Sequence, residues 1–467
     1  MTSLLWLRDD LRLADHPALT ACCSDPDDPV VAVWIHEGRG ADGKGRPTGP
    51  RPLGAATRWW YHHSLRELSD RLAAIGIPLV FARGDSGEAL QGLVDALRPR
   101  AVHWTRRYAP ASCRLDASLK ESLAPLTEVH SHPGSLLVEP WLTRPSGGGY
   151  YKVFTPFHRA AAELPVGNPL PEPKAVAAPP AEVTSTLAAL RREGVLCGLD
   201  ELGLLDDGPA WWESTLELHW TPGEQAALDR LAAVDSWLAG YSDTRNLPAD
   251  PLATSALSPR LRCGELSPRQ ALQAVRQSTA AAADQAAWAR QLYWREFCWH
   301  LLHHVEEIEW SPFRPEFADF PYEPDDELVK AWQTGTTGID LVDAGMRQLW
   351  QSGWMHNRVR MVTASLLTKN LLQPWKTGEE WFWDTLVDAD EANNPVSWQW
   401  VAGCGADPAP YFRVFNPELQ SARFDPDGVY VTRWLGSGTR RTVPAVIDLA
   451  ATRRQALAAY AQMRGRP

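Results

Sequence analysis

Hydrophobic and polar positions follow two alternating patterns along the first third of the chain. Short apolar runs with residues that favour β-strands occupy 3–7, 29–35, 77–81 and 101–105. Helical patterns lie between and after them, at 56–74, 86–97 and 110–123. Strands that alternate with helices predict a parallel sheet covered on both faces. We therefore predict a Rossmann-like α/β domain over residues 1–132, without the G-x-G-x-x-G turn of a standard dinucleotide site.

The pattern changes twice after this domain. Residues 164–183 carry six prolines, which is typical of an extended segment, so we assign 133–221 to an interdomain linker. From residue 222 the pattern is helical, with segments at 222–238, 286–304, 326–332, 339–350 and 453–463. Ser267 and Pro268 predict a capped helix start. The sequence thus predicts an all-α C-terminal domain over residues 222–467.

Polar groups and indoles mix unusually between residues 353 and 401. A helix over 354–372 would place Asn357 and Met361 on one face. The pair Asn394-Pro395 predicts a second helix start, with Asn394 as the N-cap and a positive dipole end toward an anion. That helix would carry Trp398 on the Asn394 face and Trp400 roughly opposite. A core alone would favour Leu and Val, so this mixture indicates a binding site.

Composition adds constraints on partners and compartment. The 467 residues include 23 tryptophans, which suggests stacking or electron-transfer roles for some of them beyond core packing. The net charge of −11 means that a polyanion partner would require a local basic patch. Seven scattered cysteines without metal-ligand spacing fit a reduced interior and no metal site. With no signal peptide or membrane-length apolar run evident, we expect a cytoplasmic protein.

Several motifs together resemble a known family. The pattern WMHNRVRM at 354–361, the Asp388-x-Asp390 pair and Asn394 followed by WQW at 398–400 resemble the flavin pocket of DNA photolyases. The resemblance to the photolyase/cryptochrome family runs from LLWLRDDLRLADHPAL at 4–19 to PYFRVFNP at 410–417. It implies FAD as cofactor, and it is nearest to bacterial cyclobutane pyrimidine dimer photolyases, which implies UV-damaged DNA as substrate. We expect a monomer.

The resemblance implies a set of cofactor-binding residues. The sequence between Tyr241 and Ser258 is rich in hydroxyl groups. On spacing alone such residues are typical of helix caps and turns. In the family, the matching residues hold the FAD phosphates together with an arginine. The matching residues are Tyr241, Thr254, Ser255, Ser258 and Arg295. Around the flavin ring the resemblance places Asn357, Arg360, Asp388, Asp390 and Asn394. We expect Asp388 to pair with Arg360, Asp390 to accept from ring N3–H, and Asn394 to face N5.

The resemblance also implies substrate contacts. Trp294 and Trp400 would clasp the lesion, with Met361 facing it, and Arg245, Arg358, Arg413 and Arg423 are the expected phosphate contacts. Gln291 stands where bacterial relatives usually have Glu, so we expect a lower repair yield. The related (6-4) photolyases carry histidines at positions 357 and 361, which this chain lacks. His356 could act as a base, although a satisfied core histidine is the commoner case.

Two further features of the family are assigned by position. Trp398, Trp375 and Tyr322 match the chain of aromatics that photoreduces the flavin, with Tyr322 standing at a usual tryptophan and Phe320 and Trp310 as nearby alternatives. The alternative for all of them is simple packing. Folate-binding relatives have an Asn-Glu pair in the stretch where this chain has YAPAS at 108–112. We therefore expect no folate antenna, and a deazaflavin, a second flavin or no antenna remain open.

We expect light-driven repair of cyclobutane pyrimidine dimers in DNA. By resemblance, excited reduced FAD passes one electron to the dimer, which splits and returns it. The alternative is a cryptochrome-like blue-light receptor on the same fold. Asn394, Trp294 and Trp400 argue against it. Plant cryptochromes carry Asp at the position of Asn394. A non-photochemical nucleotide-binding enzyme would explain only the N-terminal half.

Overall fold

A computed structural model describes residues 2–38, 40, 48–206, 210–407, 412–436 and 444–465. Its five strands form one parallel sheet in the order β3-β2-β1-β4-β5. The strands are β1 (Ser3–Leu7), β2 (Val30–Glu37), β3 (Leu79–Gly84), β4 (Ala101–Thr105) and β5 (Glu128–His132). The predicted α/β fold with a parallel sheet is therefore confirmed, and β1 lies at its centre.

The helices account for most of the remaining chain. Those that accompany the sheet are α1 (Pro17–Cys22), α2 (Ala55–Ala74), α3 (Ser86–Leu97) and α4 (Pro110–Leu123). Next come α5 (Phe154–Ala162), α6 (Ala181–Arg192), α7 (Ala210–Glu217), α8 (Glu224–Ala232), α9 (Val234–Leu238), α10 (Tyr241–Thr244), α11 (Ser258–Cys263) and α12 (Pro268–Gln277). The last are α13 (Ala282–His304), α14 (Asp326–Thr334), α15 (Asp340–Ser352), α16 (Asn357–Ser365), α17 (Trp375–Thr385), α18 (Asn393–Ala402), α19 (Pro417–Phe424), α20 (Val429–Leu435) and α21 (Leu449–Met463).

Successive side chains of the central strand β1 point into two different hydrophobic cores, one on each face of the sheet. Leu4 and Trp6 of β1 pack with residues of α3 and α4 on one face of the sheet. Leu5 and Leu7 pack with Trp60 and other residues of α2 on the opposite face. All five β1 residues are buried, because successive strand side chains point to opposite faces and both faces are covered.

The edge strand β5 was missed by the sequence prediction. Its sequence EVHSH has one apolar residue, and its side chains are exposed or half-buried. It nevertheless pairs with β4 in register, from Ala101 opposite Glu128 to Thr105 opposite His132. A solvated edge strand needs no apolar run, so hydrophobic pattern alone does not reveal it.

The proline-rich segment is extended as predicted, from residue 165 to 180. It lies across the α/β half, where the Val176 N–H donates to Ile75 and the Ala177 N–H donates to Pro26. Val176 is buried in the α2-side core. The surrounding region 133–221 also contains α5, α6 and α7.

Two predicted helices differ from the structure. The predicted helix 222–238 is two helices, because the chain turns at Ala233 between α8 and α9. The predicted helix 354–372 begins only at Asn357, where His356 caps α16, and it passes into a π-helical turn over Leu366–Asn370. Ser267 caps α12 with a complete capping box, which confirms that prediction.

Buried carboxylates join the two halves of the molecule. Glu224 of α8 accepts hydrogen bonds from the backbone N–H groups of Leu13 and Ala14, at 2.6 and 2.9 Å. Glu265 accepts from the indole N–H of Trp60 at 2.8 Å. Burial raises the pKa of Glu224 to about 7. An interior carboxylate is tolerated only with such partners, so these contacts fix the helical half against the sheet.

Within the described ranges, no helix has the length and apolarity that crossing a membrane requires.

Gly264 provides a test of the junction between the two halves. Its φ is +76°, and a Cβ there would lie 2.2 Å from the carbonyl oxygen of Asp9. We expect Gly264→Ala to lower the free energy of unfolding by at least about 2 kcal/mol, through backbone strain and overlap. Chemical denaturation measures this. As a control, Gly92→Ala in α3, with no neighbouring atom within 4 Å of a Cβ, should be neutral or stabilising. Equal midpoints for the two variants would contradict the packing described.

Candidate active site

A cavity of about 600 Å³ opens in the helical half. This volume is in the range of cofactor and substrate sites. Nearly all predicted site residues line this cavity. They are Tyr241, Arg245, Thr254, Ser255, Ser258, Gln291, Trp294, Arg295, Asn357, Arg358, Arg360, Met361, Asp388, Asp390, Asn394, Trp398 and Trp400. Trp375, Tyr322, Arg413 and Arg423 are the predicted site residues that do not line it.

One wall of the cavity is the turn that carries Thr254 and Ser255. The guanidinium of Arg230 donates to the carbonyls of both residues, at 3.1 and 2.9 Å, and so holds the turn from behind. Ala256 has a φ of +52°, and Leu257 follows in the right-handed region. Tight turns of this kind gather backbone N–H groups, which together with hydroxyls suit an anion such as a diphosphate.

The predicted pair of Asp388 and Arg360 is present. The guanidinium donates two hydrogen bonds to the carboxylate, at 3.0 and 2.8 Å, and a third to the carbonyl of Met355 at 2.7 Å. The Ser258 hydroxyl also donates to Asp388, at 2.6 Å. A bidentate pair with a further donor is geometrically fixed, so these three lining residues hold one another in place without a ligand.

Asp390 organises the start of α18. Its carboxylate accepts from the backbone N–H groups of Ala392 and Asn393 and from the Asn393 side chain at 2.7 Å. Asp390 is buried at the cavity wall. A carboxylate offers about four acceptor sites, so it can still accept from a ligand N–H while it holds this turn.

Asn394 does not cap its helix, contrary to the sequence prediction. Ala392 is the N-cap of α18, and Asn394 lies inside the first turn. Its amide nitrogen instead donates to the backbone carbonyl of Glu379 at 2.9 Å and to the Glu379 carboxylate at 2.8 Å. Both amide hydrogens therefore have acceptors, and the amide oxygen is the group that Asn394 can offer to a ligand.

Glu379 was missed by the sequence reasoning. It lies on α17, fully buried, and it also accepts from Arg51 at 2.6 and 3.2 Å and from Lys376 at 2.7 Å. Arg51 belongs to the segment before α2, so the N-terminal half contributes to the orientation of Asn394. The pair Glu379-Glu380 on one helix gives no sequence signal for which residue is interior.

Trp294 and Trp400, the two indoles predicted to hold the lesion, are fixed by different contacts. Trp294 of α13 lies face to face on Phe154, with ring centroids 3.6 Å apart and an interplanar angle of 6°. The indole N–H of Trp400 donates to the carbonyl of Asp407 at 3.0 Å. Both indoles are half-buried at the cavity wall, so each has a fixed support, a ring face for Trp294 and the indole N–H for Trp400, and an accessible surface.

Gln291 is tied to a neighbouring arginine. Its side-chain oxygen accepts from Arg245 at 2.8 Å, and its amide nitrogen donates to the carbonyl of Ala287 at 3.2 Å. At the rim of the cavity the Asn357 amide nitrogen lies 3.9 Å from the Met361 sulfur. The predicted i,i+4 neighbourhood of those two residues on one helix is thus confirmed.

A local basic patch exists despite the net negative charge. Burial lowers the pKa of Arg358, and the nearby cations Arg413, Arg245 and Arg423 lower it further. Arg358 also donates to the side chain of Asn246 at 2.7 Å. Arg413 lies outside the cavity lining, with its guanidinium over Phe415 at 4.5 Å. Four arginines therefore concentrate positive charge beside the cavity.

The predicted photoreduction residues share one aromatic core. Trp398 lies edge-on to Phe382, with centroids 4.9 Å apart, and Tyr322 lies 4.9 Å from Phe320 in the same cluster. A Cβ on Gly378 would be 2.1 Å from the Trp398 ring, so this indole rests on α17 three residues after Trp375. Trp375 and Tyr322 belong to or pack against this core and do not line the cavity, so their part in photoreduction stays a prediction.

His356 has a structural environment. It is buried, and its Nδ1 accepts from the backbone N–H of Arg358 at 3.1 Å as the cap of α16. Burial lowers its pKa to about 4. It is not part of the cavity lining, so the core-histidine interpretation agrees with the structure.

Comparison with known proteins gives independent evidence. Residues 3–174 match the family model of DNA photolyase, and residues 288–462 match that of the FAD binding domain of DNA photolyase. The deoxyribodipyrimidine photo-lyase of Agrobacterium fabrum is 44% identical over 437 residues, which cover 92% of this chain and 86% of that protein. The chain belongs to the DNA photolyase/cryptochrome family.

Other photolyases and cryptochromes agree with this assignment. The crystal structure of a class III photolyase from Agrobacterium tumefaciens superposes with a TM-score of 0.89 at 39% identity, covering 100% of this chain and 98% of that one. Cryptochrome-1 of Arabidopsis thaliana is 32% identical over 93% of this chain and 62% of that protein. These comparisons confirm the predictions of a photo-lyase enzyme and of FAD as its cofactor.

The residues present fit FAD. The turn at Thr254 and Ser255 with nearby Arg295 offers donors for phosphates, Asp390 is a buried acceptor for a ring N–H, and Asn394 presents an amide oxygen. Apolar wall residues, Phe382 and Leu386 among them, suit a planar ring. A cavity that combines these groups matches the polar and apolar ends of the cofactor.

The pH dependence of stability tests the assignment of His356. Because its pKa is about 4 in the folded protein and near 6.5 when unfolded, the unfolded chain binds the extra proton between these values. Stability is therefore lost as pH falls from 6.5 toward 4. His356→Asn keeps an acceptor for the helix cap and removes the titration. Its stability relative to the unsubstituted protein should rise as pH falls, by up to about 1.4 kcal/mol per pH unit.

Denaturation series at several pH values between 4.5 and 7 measure this difference. A difference that does not vary with pH would contradict the buried neutral state of His356.

Proposed function

We propose that the protein repairs cyclobutane pyrimidine dimers in DNA in a light-dependent reaction. The observation that carries the proposal is one cavity that joins the FAD-binding residues to two half-buried indoles, Trp294 and Trp400. A cofactor site alone would serve any flavoprotein. The added aromatic walls, open beside a cluster of arginines, suit a flat apolar base taken from a negatively charged strand.

FAD, when bound in its reduced form, supplies the light-driven electron that opens the dimer. The protein residues position and shield that chemistry. Asp388, locked by Arg360 and Ser258, keeps the cavity in shape. Asn394 would offer a neutral amide oxygen to the flavin ring, and this would favour a cofactor that stays reduced. Trp398, Trp375 and Tyr322 are the proposed route by which reducing electrons reach the cavity.

The lesion site is proposed at the indoles. Stacking on aromatic side chains contributes about 1–3 kcal/mol per base, so Trp294 and Trp400 can stabilise a dimer outside the duplex, as photolyases do as a class. Met361 and Asn357 at the rim provide no acid–base group, and buried His356 does not line the cavity. These features favour cyclobutane dimers over (6-4) products.

Binding to DNA is proposed through the basic patch. Arg245, Arg358, Arg413 and Arg423 would contact phosphates on both sides of the cavity mouth. Phosphate contacts release counterions, so affinity should depend on salt although the whole chain is acidic. We further propose a monomer in the cytoplasm, with an antenna-type domain at 1–132, a linker at 133–221 and the catalytic domain at 222–467.

A repair assay tests this proposal directly. The FAD-loaded, reduced protein is illuminated with blue light in the presence of oligothymidine that contains cyclobutane dimers, and the return of thymine absorbance is followed. We expect repair in the light, none in the dark, and none with a (6-4) substrate. Trp294→Ala and Trp400→Ala should each weaken dimer binding by roughly 5- to 100-fold. A protein that holds FAD but gives no repair would favour the cryptochrome-like receptor instead.

Position 291 gives a second test. Gln291 lies beside Arg245, and it can donate to a pyrimidine carbonyl but cannot share a proton as a carboxylic acid can. We expect Gln291→Glu to equal or exceed the unsubstituted protein in dimers repaired per absorbed photon. Gln291→Leu, of similar size and without a hydrogen-bonding group, is the matched control and should lower the yield. A large loss on Gln291→Glu would contradict this role.

A further inference from the structure

Asp407 connects the supports of the two cavity indoles. Its backbone carbonyl accepts the indole N–H of Trp400 at 3.0 Å. Its carboxylate accepts the backbone N–H of Phe154 at 3.1 Å, across 253 residues of sequence. Phe154 in turn carries the face of Trp294 at a centroid distance of 3.6 Å. One residue therefore contacts Trp400 directly and reaches Trp294 through a single intervening ring.

The backbone of Asp407 is also unusual. Its φ is +48°, in the left-handed region that few non-glycine residues adopt and that Asp and Asn tolerate best. This conformation lets the carbonyl and the carboxylate of one residue serve two different partners. A neutral turn residue would satisfy the backbone there, but it would leave the Phe154 N–H without its carboxylate acceptor.

Phe154 transmits the constraint because it is fixed. It is fully buried at the start of α5, and it packs edge-on to Phe297 at 5.9 Å. Trp294 also lies edge-on to Phe297, at 5.8 Å and 73°. Trp294 thus packs against two aromatic rings, and Asp407 holds the backbone of one of them, Phe154.

We propose that Asp407 is a positioning residue that sets the separation and tilt of Trp294 and Trp400, and so determines how tightly a damaged pyrimidine pair is held between them. The inference rests on the proposed function, because it assigns Asp407 to the same lesion site. Asp407 acts through the indoles. Its effect is on recognition of the lesion, and FAD binding and general affinity for DNA are independent of it.

Two substitutions at this position separate the carboxylate from the backbone strain. Asp407→Gly keeps the left-handed backbone and removes the carboxylate. Asp407→Asn keeps the backbone and an oxygen acceptor for the Phe154 N–H. The dissociation constants for dimer-containing and undamaged oligonucleotides of one sequence are measured in the dark at fixed salt. FAD content, the flavin absorption spectrum and the thermal midpoint are recorded for each variant.

We expect Asp407→Gly to weaken binding of the damaged strand roughly tenfold, with the undamaged strand and FAD content unchanged. Asp407→Asn should remain within about twofold of the unsubstituted protein for both strands. Asp448→Gly is the structural control, because Asp448 caps α21 through Ala450 and Ala451, away from the cavity lining. It should lower the thermal midpoint without changing the ratio of the two affinities.

An unchanged preference for damaged DNA in Asp407→Gly, or an equal loss for both strands, would overturn the inference. If Asp407→Gly does not fold, Phe154→Leu decides the question, because it keeps the N–H bond to Asp407 and removes the stacking face. That variant should show the same selective loss, and an unchanged ratio would overturn the inference. An unsubstituted protein that does not prefer the damaged strand would overturn the proposed function itself.

Discussion

A buried carboxylate is stable only where cations or N–H groups surround it, and this requirement shapes the active site. Asp388 is held by Arg360 and Ser258, and Glu379 is held by Arg51, Lys376 and Asn394. Each acid fixes the orientation of the groups that satisfy it. The cavity therefore has its polar geometry set by the protein, so that a bound cofactor and substrate need cause little reorganisation.

The same constraint links the site to the rest of the molecule. Glu224 and Glu265 fasten the helical half to the sheet half, and Arg51 extends from the sheet half to the acid that orients Asn394. The α/β half thus contributes directly to the geometry of the flavin site. Activity and the packing of the two halves should therefore respond together to changes at this junction.

Sequence reasoning succeeded where local pattern and chemistry agree. The buried strands β1 and β4 are short and mostly apolar, Ser267 and Pro268 form a standard helix start, and the need for a counter-charge predicted the pair of Asp388 and Arg360. Sequence reasoning failed where contacts between residues far apart in the chain determine the orientation of a side chain. Asn394 has a good capping sequence, yet the buried Glu379 takes its amide, and Ala392 becomes the cap.

Phe154 and Asp407 could not have been found from the sequence for a similar reason. Their roles arise from a contact across 253 residues, and neither residue type is unusual in its local context. The edge strand β5 was missed because it is half-solvated and lacks an apolar run. The motifs at 354–361 and 388–400, by contrast, combine residue types that no core requires, and several of their residues line the cavity.

The proposed function requires that one cavity hold FAD and a cyclobutane pyrimidine dimer side by side, between the Asp388 network and the two indoles. A crystal structure of the FAD-loaded protein with a dimer-containing oligonucleotide tests it most directly. We expect the flavin ring against Asn394 and Asp390, and the dimer outside the helix between Trp294 and Trp400. A flavin bound elsewhere, or a dimer left stacked in the strand away from both indoles, would contradict it.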